Sequence, residues 1–354
     1  MQKINIKYIL QSVLVFIIIY IYFKNSIYIN KYVKEALYLC YSTVIPSLFI
    51  FMVLTIFLSG QSVCKFIGIP FSPIFRLLKI KNTELISYCV LSILSGFATG
   101  GYFLNKIKEE NICDNNGLGV ISILVSNNSP AFVISAVGIN MLGHIQSGVI
   151  LYFSILFSSF ITAFLFSFIY PYSTINNSKN IKASNTNFTS SLNSAVFYII
   201  NICGVVILSY TICKVVSLYT ENLFISSLFS AIFEVTTACK MIIENTGKNI
   251  YLVCFALSLC PLSTYLQLKS FNKSNKTNLK ILLLSKFIHI PLSLLILRIA
   301  VNIFPQSFSV YANSDINVKM HWNSPQISCC FLILSVCFVI LFDKEIGVFT
   351  KYDK

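Results

Sequence analysis

Five polar or helix-breaking residues interrupt an apolar run that extends from Gly117 to Leu142, and they read Ser126-Asn127-Asn128-Ser129-Pro130. In the hydrocarbon of a bilayer every backbone N–H and C=O needs a protein partner, so a break is tolerated only where it is buried or lines a cavity. Pro130 suits the start of a second half-helix, because its missing N–H has no partner to lose there. The sequence therefore predicts a broken helix at membrane depth. A proline kink with packed asparagines is the alternative interpretation.

The composition places this break in a membrane protein. Of the 354 residues, 56% are hydrophobic and 11% are charged, and the mean hydropathy is +0.78. A soluble domain does not have this balance. The net charge of +14 does not indicate nucleic-acid binding, because the Lys and Arg residues fall in short loops between apolar runs. The 12 cysteines show no CxxC pair, so we expect no metal, no disulfide framework and no cofactor.

Three N-terminal segments have different expected relations to the bilayer. The run from Tyr8 to Phe23 lacks a small-residue cleavage site and is predicted to be a membrane anchor. The run from Ala36 to Ser59 is long enough to span, with a kink at Pro46. The segment from Gln61 to Lys81 combines prolines and basic residues with apolar side chains, which is typical of a piece lying in the interface.

Two further runs carry residues that favour a tight turn at their centre. The run from Leu85 to Leu104 has three glycines between Gly96 and Gly101, and each weakens a helix by roughly 1 kcal/mol. The run from Leu223 to Ile243 carries Glu234 in its middle. We predict that both runs are re-entrant hairpins.

The order of these segments repeats in the second half of the chain. A hairpin, a loop, a broken segment and a clean span occur in each half, and the run from Ile250 to Leu268 is broken around Pro261. Pro130 and Pro261 lie 131 residues apart. The repeat predicts the inverted duplication found in many secondary transporters, with broken helices meeting at the midplane.

The loop charges select a topology. With two hairpins, 17 of the 23 Lys and Arg residues in loops lie on the cytosolic side, against 14 for ten straight spans. The positive-inside rule favours the hairpins and puts the loop from Lys106 to Asn116 in the cytosol, where Cys113 offers a thiol for labelling. We therefore predict an all-α fold of eight transmembrane helices and two re-entrant hairpins. Its expected parts are an anchor and loop (1–35), a first repeat (36–171), a linker (172–193), a second repeat (194–304), and an external loop with a last helix (305–354).

Five ionisable residues fall inside the apolar runs, and each costs about 2.5 to 3.5 kcal/mol at a helix centre. Arg298 is expected to reach the interface with its side chain. Lys286 can either reach an interface or act in the site, and His289 is either a packing histidine or a substrate contact. Glu234 is expected to pair with Lys240 or His289, or to carry a coupled proton. The sequence has no nucleophile-base set or phosphate loop, so we do not expect an enzyme.

The chain resembles the YlbJ-type (SpoVV-like) sporulation integral membrane proteins of the nucleoside-recognition or Gate domain group. The resemblance covers roughly residues 32–300. It is carried by Pro46-Ser47-Leu48-Phe49, Ser95-Gly96-Phe97-Ala98-Thr99-Gly100, Ser126-Asn127-Asn128-Ser129-Pro130, Phe233-Glu234-Val235-Thr236, Ser258 to Gln267, and Lys286-Phe287-Ile288-His289. The family's first glycine motif more often reads Gly-Tyr-Pro-x-Gly, so Phe97 and Ala98 depart from it, and Cys260-Pro261 replaces a glycine pair in the second half.

The resemblance implies a role in endospore formation, with dipicolinic acid carried across the outer forespore membrane out of the mother cell. A nucleoside-type permease of the same fold group and a non-transporting spore-envelope scaffold are the alternatives. The expected partners are a small anionic substrate and membrane lipid, with self-association or other sporulation membrane proteins left open. The residues expected to hold the substrate are Gly96, Thr99, Gly100, Ser126, Asn127, Asn128, Ser129, Glu234, Thr236, Ser263, Gln267 and His289.

Overall fold

A computed structural model describes residues 22–61, 63–174, 187–220, 222–271 and 279–304, together with positions 13, 16 and 20. Most of the predicted anchor at Tyr8 to Phe23 lies outside the described residues, as does the whole predicted last span at Ile327 to Phe342. Within the described ranges every element is a helix, apart from an isolated antiparallel bridge between Cys113 and Thr174.

The helices are named here in chain order. The first half contains α1 (Ser26–Leu39), the π-helical turn π1 (Cys40–Val44), α2 (Ile45–Ser59), α3 (Cys64–Ile67), α4 (Ser72–Leu77), α5 (Thr83–Ser95), α6 (Phe97–Glu109), α7 (Asn115–Val125), the π-helical segment π2 (Ala131–Leu142) and α8 (Ile145–Ile169). The second half contains α9 (Phe188–Ser217), α10 (Leu223–Phe233), α11 (Val235–Thr246), α12 (Ile250–Ser258), α13 (Leu262–Phe271) and α14 (Leu279–Ile303).

Five stretches are long and apolar enough to cross a membrane by length and composition. They are Ser26–Ser59, Ile145–Ile169, Phe188–Ser217, Ile250–Leu268 and Leu279–Ile303. Their length matches the roughly 20 residues that a helix needs to cross the hydrocarbon core.

Asn and Asp side chains cap the N-termini of four helices of the protein. Asn82 caps α5, Asp114 caps α7, Asn222 caps α10 and Asn249 caps α12, each by accepting a hydrogen bond from a backbone N–H of the first turn. These N–H groups have no partner inside their own helix, and a short polar side chain supplies one. In these four helices a side chain next to the first turn marks where the helix begins.

The kink predicted at Pro46 takes the form of a π-helical turn. Pro46 stands in the first turn of α2, directly after π1, and the helix continues through Ser26–Ser59. Proline removes one backbone hydrogen bond from a helix, and a π-helical turn is one way to absorb the change.

The segment after α2 is amphipathic, as predicted for a piece in the interface. Phe66 and Leu77 are exposed on α3 and α4, whereas Phe75 and Leu78 are buried. One side of the segment therefore packs on the protein, and the other presents apolar side chains.

The chain reverses direction at Gly96, so that α5 and α6 pack side by side as hairpin 1. The Tyr88 ring stacks on the Phe103 ring with centroids 6.0 Å apart, and the Tyr88 hydroxyl donates to Glu110 at 3.1 Å. Tyr88 and Phe103 lie at similar distances in sequence on either side of Gly96, which is the contact pattern of an antiparallel pair.

A second reversal occurs at Glu234, where α10 and α11 form hairpin 2. The Asn245 amide donates to the Ser227 hydroxyl at 3.0 Å, and that hydroxyl donates to the Met241 carbonyl at 3.4 Å. Both runs that were predicted to turn at their centre therefore turn in the structure.

The segment from α7 to π2 is a broken rod that runs antiparallel to α8. Near one end the backbone N–H of Ser173 donates to Asp114 at 3.2 Å, and at the break the Asn127 amide donates to Ser159 at 2.7 Å. Helix α8 packs along both α7 and π2. The interruption therefore lies about half-way along a segment, from α7 to π2, that is as long as α8.

The two halves repeat the same packing. Helix α5 packs on α2 as α10 packs on α9, and α6 packs on α7 as α11 packs on α12. Helix α6 also contacts α13 as α11 contacts π2, while the pairs α2 with α9 and α8 with α14 join the halves. The same order of contacts therefore occurs in each half.

Loop contacts fall into two sets at opposite ends of the helices. At the first end, the Lys106 ammonium donates to the Ser59 carbonyl at 2.5 Å, and the Tyr172 hydroxyl donates to the Leu78 carbonyl. Cys113 lies at this end too, but it is buried rather than available to a labelling reagent.

At the second end, the loops that follow α9 and α11 meet the beginning of α1 and the end of π2. The Tyr219 hydroxyl donates to the Asn25 side chain at 3.2 Å. The Lys248 ammonium lies beside Gly143, 3.7 Å from where a Cβ on that glycine would be.

Candidate functional site

The first break is buried on all sides. Ser126, Asn127, Asn128 and Ser129 are each at most 7% exposed. The Ser129 hydroxyl accepts a hydrogen bond from the backbone N–H of Phe132 at 3.1 Å, and so it caps the start of π2.

The tip of hairpin 1 contacts this break directly. The backbone N–H of Phe97 donates to the Asn127 carbonyl at 2.7 Å. The break interrupts the hydrogen bonds of the helix here, and this contact gives the carbonyl a partner. A Cβ on Gly96 would lie 2.6 Å from the Ser129 nitrogen, and a Cβ on Gly100 would lie 2.3 Å from the Val125 carbonyl oxygen. Only glycine allows this approach.

We expect Gly96→Ala to destabilise the protein by about 3 kcal/mol, because the backbone at φ +83° is strained for an L side chain and the added methyl group meets Ser129. The melting temperature of the purified protein in detergent measures the loss. Gly204→Ala is the matched control, because no atom lies within 4 Å of a Cβ there and Ala favours the α9 helix. Equal losses in the two variants would contradict the close approach.

The second break touches the first through an asparagine side chain. The Asn128 amide donates to the Leu257 carbonyl in the last turn of α12 at 2.9 Å. Beside it, the hydroxyls of Ser258 and Ser293 form a hydrogen bond of 2.7 Å between α12 and α14. The two interruptions, 131 residues apart at their prolines, are therefore neighbours in space.

His289 joins the second break to α8. Its Nδ1 lies 3.1 Å from the Ser258 carbonyl oxygen, and its Nε2 lies 3.3 Å from the Ile155 carbonyl oxygen. The ring is fully buried. Lys286, which the sequence left between an interface and the site, is also buried, with its ammonium 3.4 Å from Nδ1 of His289.

The carboxylate of Glu234 forms the tip of hairpin 2 and caps α11. Its two oxygens accept hydrogen bonds from the backbone N–H groups of Thr236 at 2.8 Å and Thr237 at 2.6 Å. The structure does not pair Glu234 with Lys240 or His289, as the sequence suggested. The helix N-terminus is the better partner, because two N–H donors and the helix dipole meet one carboxylate.

Lys240 instead lies half-way along α11. Its ammonium donates to the Tyr210 hydroxyl at 3.3 Å, and that hydroxyl donates to Glu35 at 2.9 Å. This chain of contacts ties α11 to α9 and α1. Arg298 is exposed on α14, in agreement with a side chain that reaches an interface.

A small cavity of about 10 Å³ lies where the two hairpin tips meet the first break. That volume is close to the minimum for one water molecule. Its polar lining consists of Ser95, Ser129 and Thr236 with the backbone at Gly96, and its apolar lining consists of Val44, Leu48, Phe97, Phe132, Ile202 and Val235. The space at this meeting point therefore holds no more than about one water molecule.

The predicted site residues fall into two adjoining groups. Gly96, Ser129 and Thr236 line the cavity, and Thr99 lies just behind it, hydrogen-bonded to Ser95. Asn128 and His289 belong to the network at the second break. Ser263 and Gln267 are buried on α13 but do not line the cavity.

The substrate-binding residues predicted from the sequence did not include Ser95 or Lys286, which lie at the two breaks in the structure. Ser95 stood within the glycine motif, and its position before the turn was the available signal. Lys286 lies three residues before His289, which places both on one face of a helix.

A larger hollow of about 610 Å³ lies between α8 and α14, away from this polar network. Nearly all of its lining is apolar, with Gln146 and Ser154 as the exceptions. It lacks the convergent polar groups that orient a small polar ligand, so the polar network is the better candidate site.

These features define a helical integral membrane protein whose buried polar site is built from discontinuous helices. A scan against family models finds no match for the chain, and comparisons with curated proteins and with solved structures find none either.

Proposed function

We propose that the protein is a transporter that carries a small anionic molecule across a membrane. The proposal rests on one observation. The tips of hairpin 1 (at Gly96) and hairpin 2 (at Thr236) meet the first break (at Ser129) around one small cavity. Interrupted helices and buried polar groups are costly in a bilayer, and broken helices that meet at the midplane are a recurring feature of transporter sites. A membrane scaffold has no need for them.

The two hairpins are suited to act as gates. The open end of hairpin 1 lies near Ser59, and the open end of hairpin 2 lies near Lys214, at the opposite end of the helices. Displacement of one hairpin tip would open the cavity toward one side while the other tip keeps it closed. Such alternating access is the general mechanism of proteins with repeated halves.

The loop contacts support the predicted membrane topology. The loops around Ser59, Lys106 and Tyr172 meet at one end, and those around Asn25 and Tyr219 meet at the other. The arrangement with two re-entrant hairpins assigns each set to a single side of the membrane, whereas ten straight spans would separate members of both sets. The first end is then cytosolic, because most loop Lys and Arg residues fall on its side.

We expect a cysteine placed at Glu109 to be protected from a membrane-impermeant thiol reagent in intact cells. Glu109 is exposed at the proposed cytosolic end, unlike the buried Cys113. Glu109→Cys is made in a background without native cysteines, and labelling is measured before and after permeabilisation. Tyr219→Cys at the opposite end is the control and should label in intact cells. Ready labelling of Glu109→Cys from outside would rule out the re-entrant hairpins.

The resemblance to the YlbJ-type family suggests dipicolinic acid as the substrate and the outer forespore membrane as the location. A sporulating strain that lacks this protein should then accumulate dipicolinate in the mother cell and form spores depleted of it. Dipicolinate assayed separately in the two compartments tests this assignment. Spores with normal dipicolinate content would contradict it.

A further inference from the structure

The apolar hollow between α8 and α14 lies where the described part of the chain ends. Ile145 at the beginning of α8 lines it together with Ile303 and Phe304 at the end of α14. Because α8 begins just after π2 ends, the hollow opens at the second end of the helices. Phe304 is also the last described residue, and the polar segment from Pro305 to Gln326 follows it. The rest of the chain therefore starts at the hollow.

The walls of the hollow present apolar side chains that the described helices leave uncovered. Phe157 on α8 is 56% exposed, and Ile303 on α14 is 63% exposed. The lining on α8 extends from Ile145 to Phe157, which is about 18 Å at the helical rise of 1.5 Å per residue. The hollow thus has the length of a groove that receives one face of a helix.

A buried hydroxyl in the wall distinguishes this hollow from an ordinary lipid-facing surface. Ser154 lines it and is 2% exposed, and its Oγ has no hydrogen-bond partner among the described residues. Four other hydroxyls of α8 donate to carbonyls of their own helix, namely those of Ser158, Ser159, Thr162 and Ser167. A buried hydroxyl is rarely left unpaired, and hydrocarbon offers it no partner. The hollow therefore suits an occupant with a polar side chain at this level.

The chain contains a segment with these properties outside the described residues. The run from Ile327 to Phe342 has 16 residues and no charge, and as a helix it would be about 24 Å long. It follows α14 in sequence, and consecutive elements are usually neighbours in space. A return from the polar segment takes the run back from the second end, in the same direction as α8. The other apolar run, Tyr8 to Phe23, leads into α1, which packs on α9 instead.

The spacing of this run brings a serine to the level of Ser154. Ser154 lies nine residues after Ile145, and Ser335 lies eight residues after Ile327. Two helices that enter from the same side at the same level therefore hold these residues at depths that differ by about 1.5 Å, the rise of one residue. A serine hydroxyl both donates and accepts, so each can serve as the partner of the other. Small residues at such a contact also let two membrane helices approach closely.

We infer that the run from Ile327 to Phe342 forms a helix that packs in the hollow between α8 and α14, with Ser335 beside Ser154. The inference goes beyond the proposed function and does not depend on transport. The docked helix braces the pair α8 and α14, which joins the two halves of the protein. It does so next to Ile155, whose carbonyl oxygen lies 3.3 Å from Nε2 of His289 on α14.

Cross-linking between two cysteines in the whole chain tests this inference. Ser335→Cys is combined with Ser154→Cys or, as a second pair, with Phe153→Cys, because Phe153 lines the hollow with an exposed side chain. Both pairs are made in a background without native cysteines that carries a protease site after Asn313. Membranes are oxidised with copper phenanthroline and then cleaved, so a cross-linked chain stays in one piece until it is reduced.

Ser335→Cys combined with Ile200→Cys is the matched control pair. Ile200 is exposed near the middle of α9, which packs on α1 and α2. We expect oxidation to keep most chains of at least one hollow pair in one piece, whereas the control pair should separate into two fragments.

Three results would overturn the inference. Separation of both hollow pairs into two fragments would leave lipid as the occupant of the hollow. A product of dimer size from Ser154→Cys or Phe153→Cys alone would identify a second copy of the chain as the occupant. Equal cross-linking of the control pair would show that the run has no fixed place beside α8.

Discussion

Asn128→Leu is expected to reduce transport at least about tenfold while the protein stays inserted and abundant. The amide of Asn128 donates to the Leu257 carbonyl and is the observed side-chain contact between the two breaks. Leucine removes this contact and the open acceptor Oδ1, yet it adds no cost to insertion. A hydrogen bond between membrane helices contributes only about 1 kcal/mol, so the fold should survive while the site does not.

The measurement compares uptake per inserted molecule for Asn128→Leu and for Ser167→Ala. Ser167 is a buried polar residue of α8 whose hydroxyl donates to the Phe164 carbonyl of its own helix at 2.7 Å, so its removal should leave uptake unchanged. Normal uptake by Asn128→Leu would exclude the amide from the site. Loss of the inserted protein would show instead that Asn128 acts in packing.

Glu234→Gln is expected to destabilise the tip of hairpin 2 by about 2 kcal/mol and to reduce transport strongly. Both carboxylate oxygens accept backbone N–H groups, from Thr236 and Thr237. Glutamine has one acceptor oxygen, and its NH₂ group would face the other N–H, which would be left buried and unpaired. The loss should appear in the melting temperature as well as in uptake, because the cap is structural and Thr236 lines the cavity.

Glu244→Gln is the matched control for this change. Glu244 lies on the same helix in a partly exposed salt bridge with Lys214, at 3.4 Å. Such a pair contributes about 0 to 1 kcal/mol, so the control should behave like wild type. A Glu234→Gln variant with wild-type melting temperature and uptake would contradict the capping role.

The helix interruptions were predictable from the sequence because they follow from local chemistry. Gly96, Glu234 and the segment from Ser126 to Pro130 are polar or flexible residues inside apolar runs, and the structure interrupts a helix at each. The Asn and Asp caps are equally local. Hydrocarbon makes these signals strong, because a polar residue there is expensive unless the fold uses it.

The partners of the ionisable residues were not predictable, because they depend on contacts between distant segments. Glu234 lies near Lys240 in sequence, but the rotation of α11 points Lys240 toward Tyr210. Lys286 is buried at the second break because α14 packs there, which its sequence neighbours do not reveal. Cys113 looked like an accessible loop residue, yet its side chain is buried in a hydrophobic cluster with Ile112 and Leu118.

Transport is tested by the uptake of radiolabelled pyridine-2,6-dicarboxylate into vesicles that contain only the purified protein and lipid. We expect the wild-type protein to show saturable uptake, which unlabelled dicarboxylate suppresses and uridine does not. Vesicles with Asn128→Leu should lack this uptake. Uptake no faster than in protein-free vesicles, with the protein folded and inserted, would contradict transport of this anion. Uptake suppressed by uridine would instead identify a nucleoside-type permease.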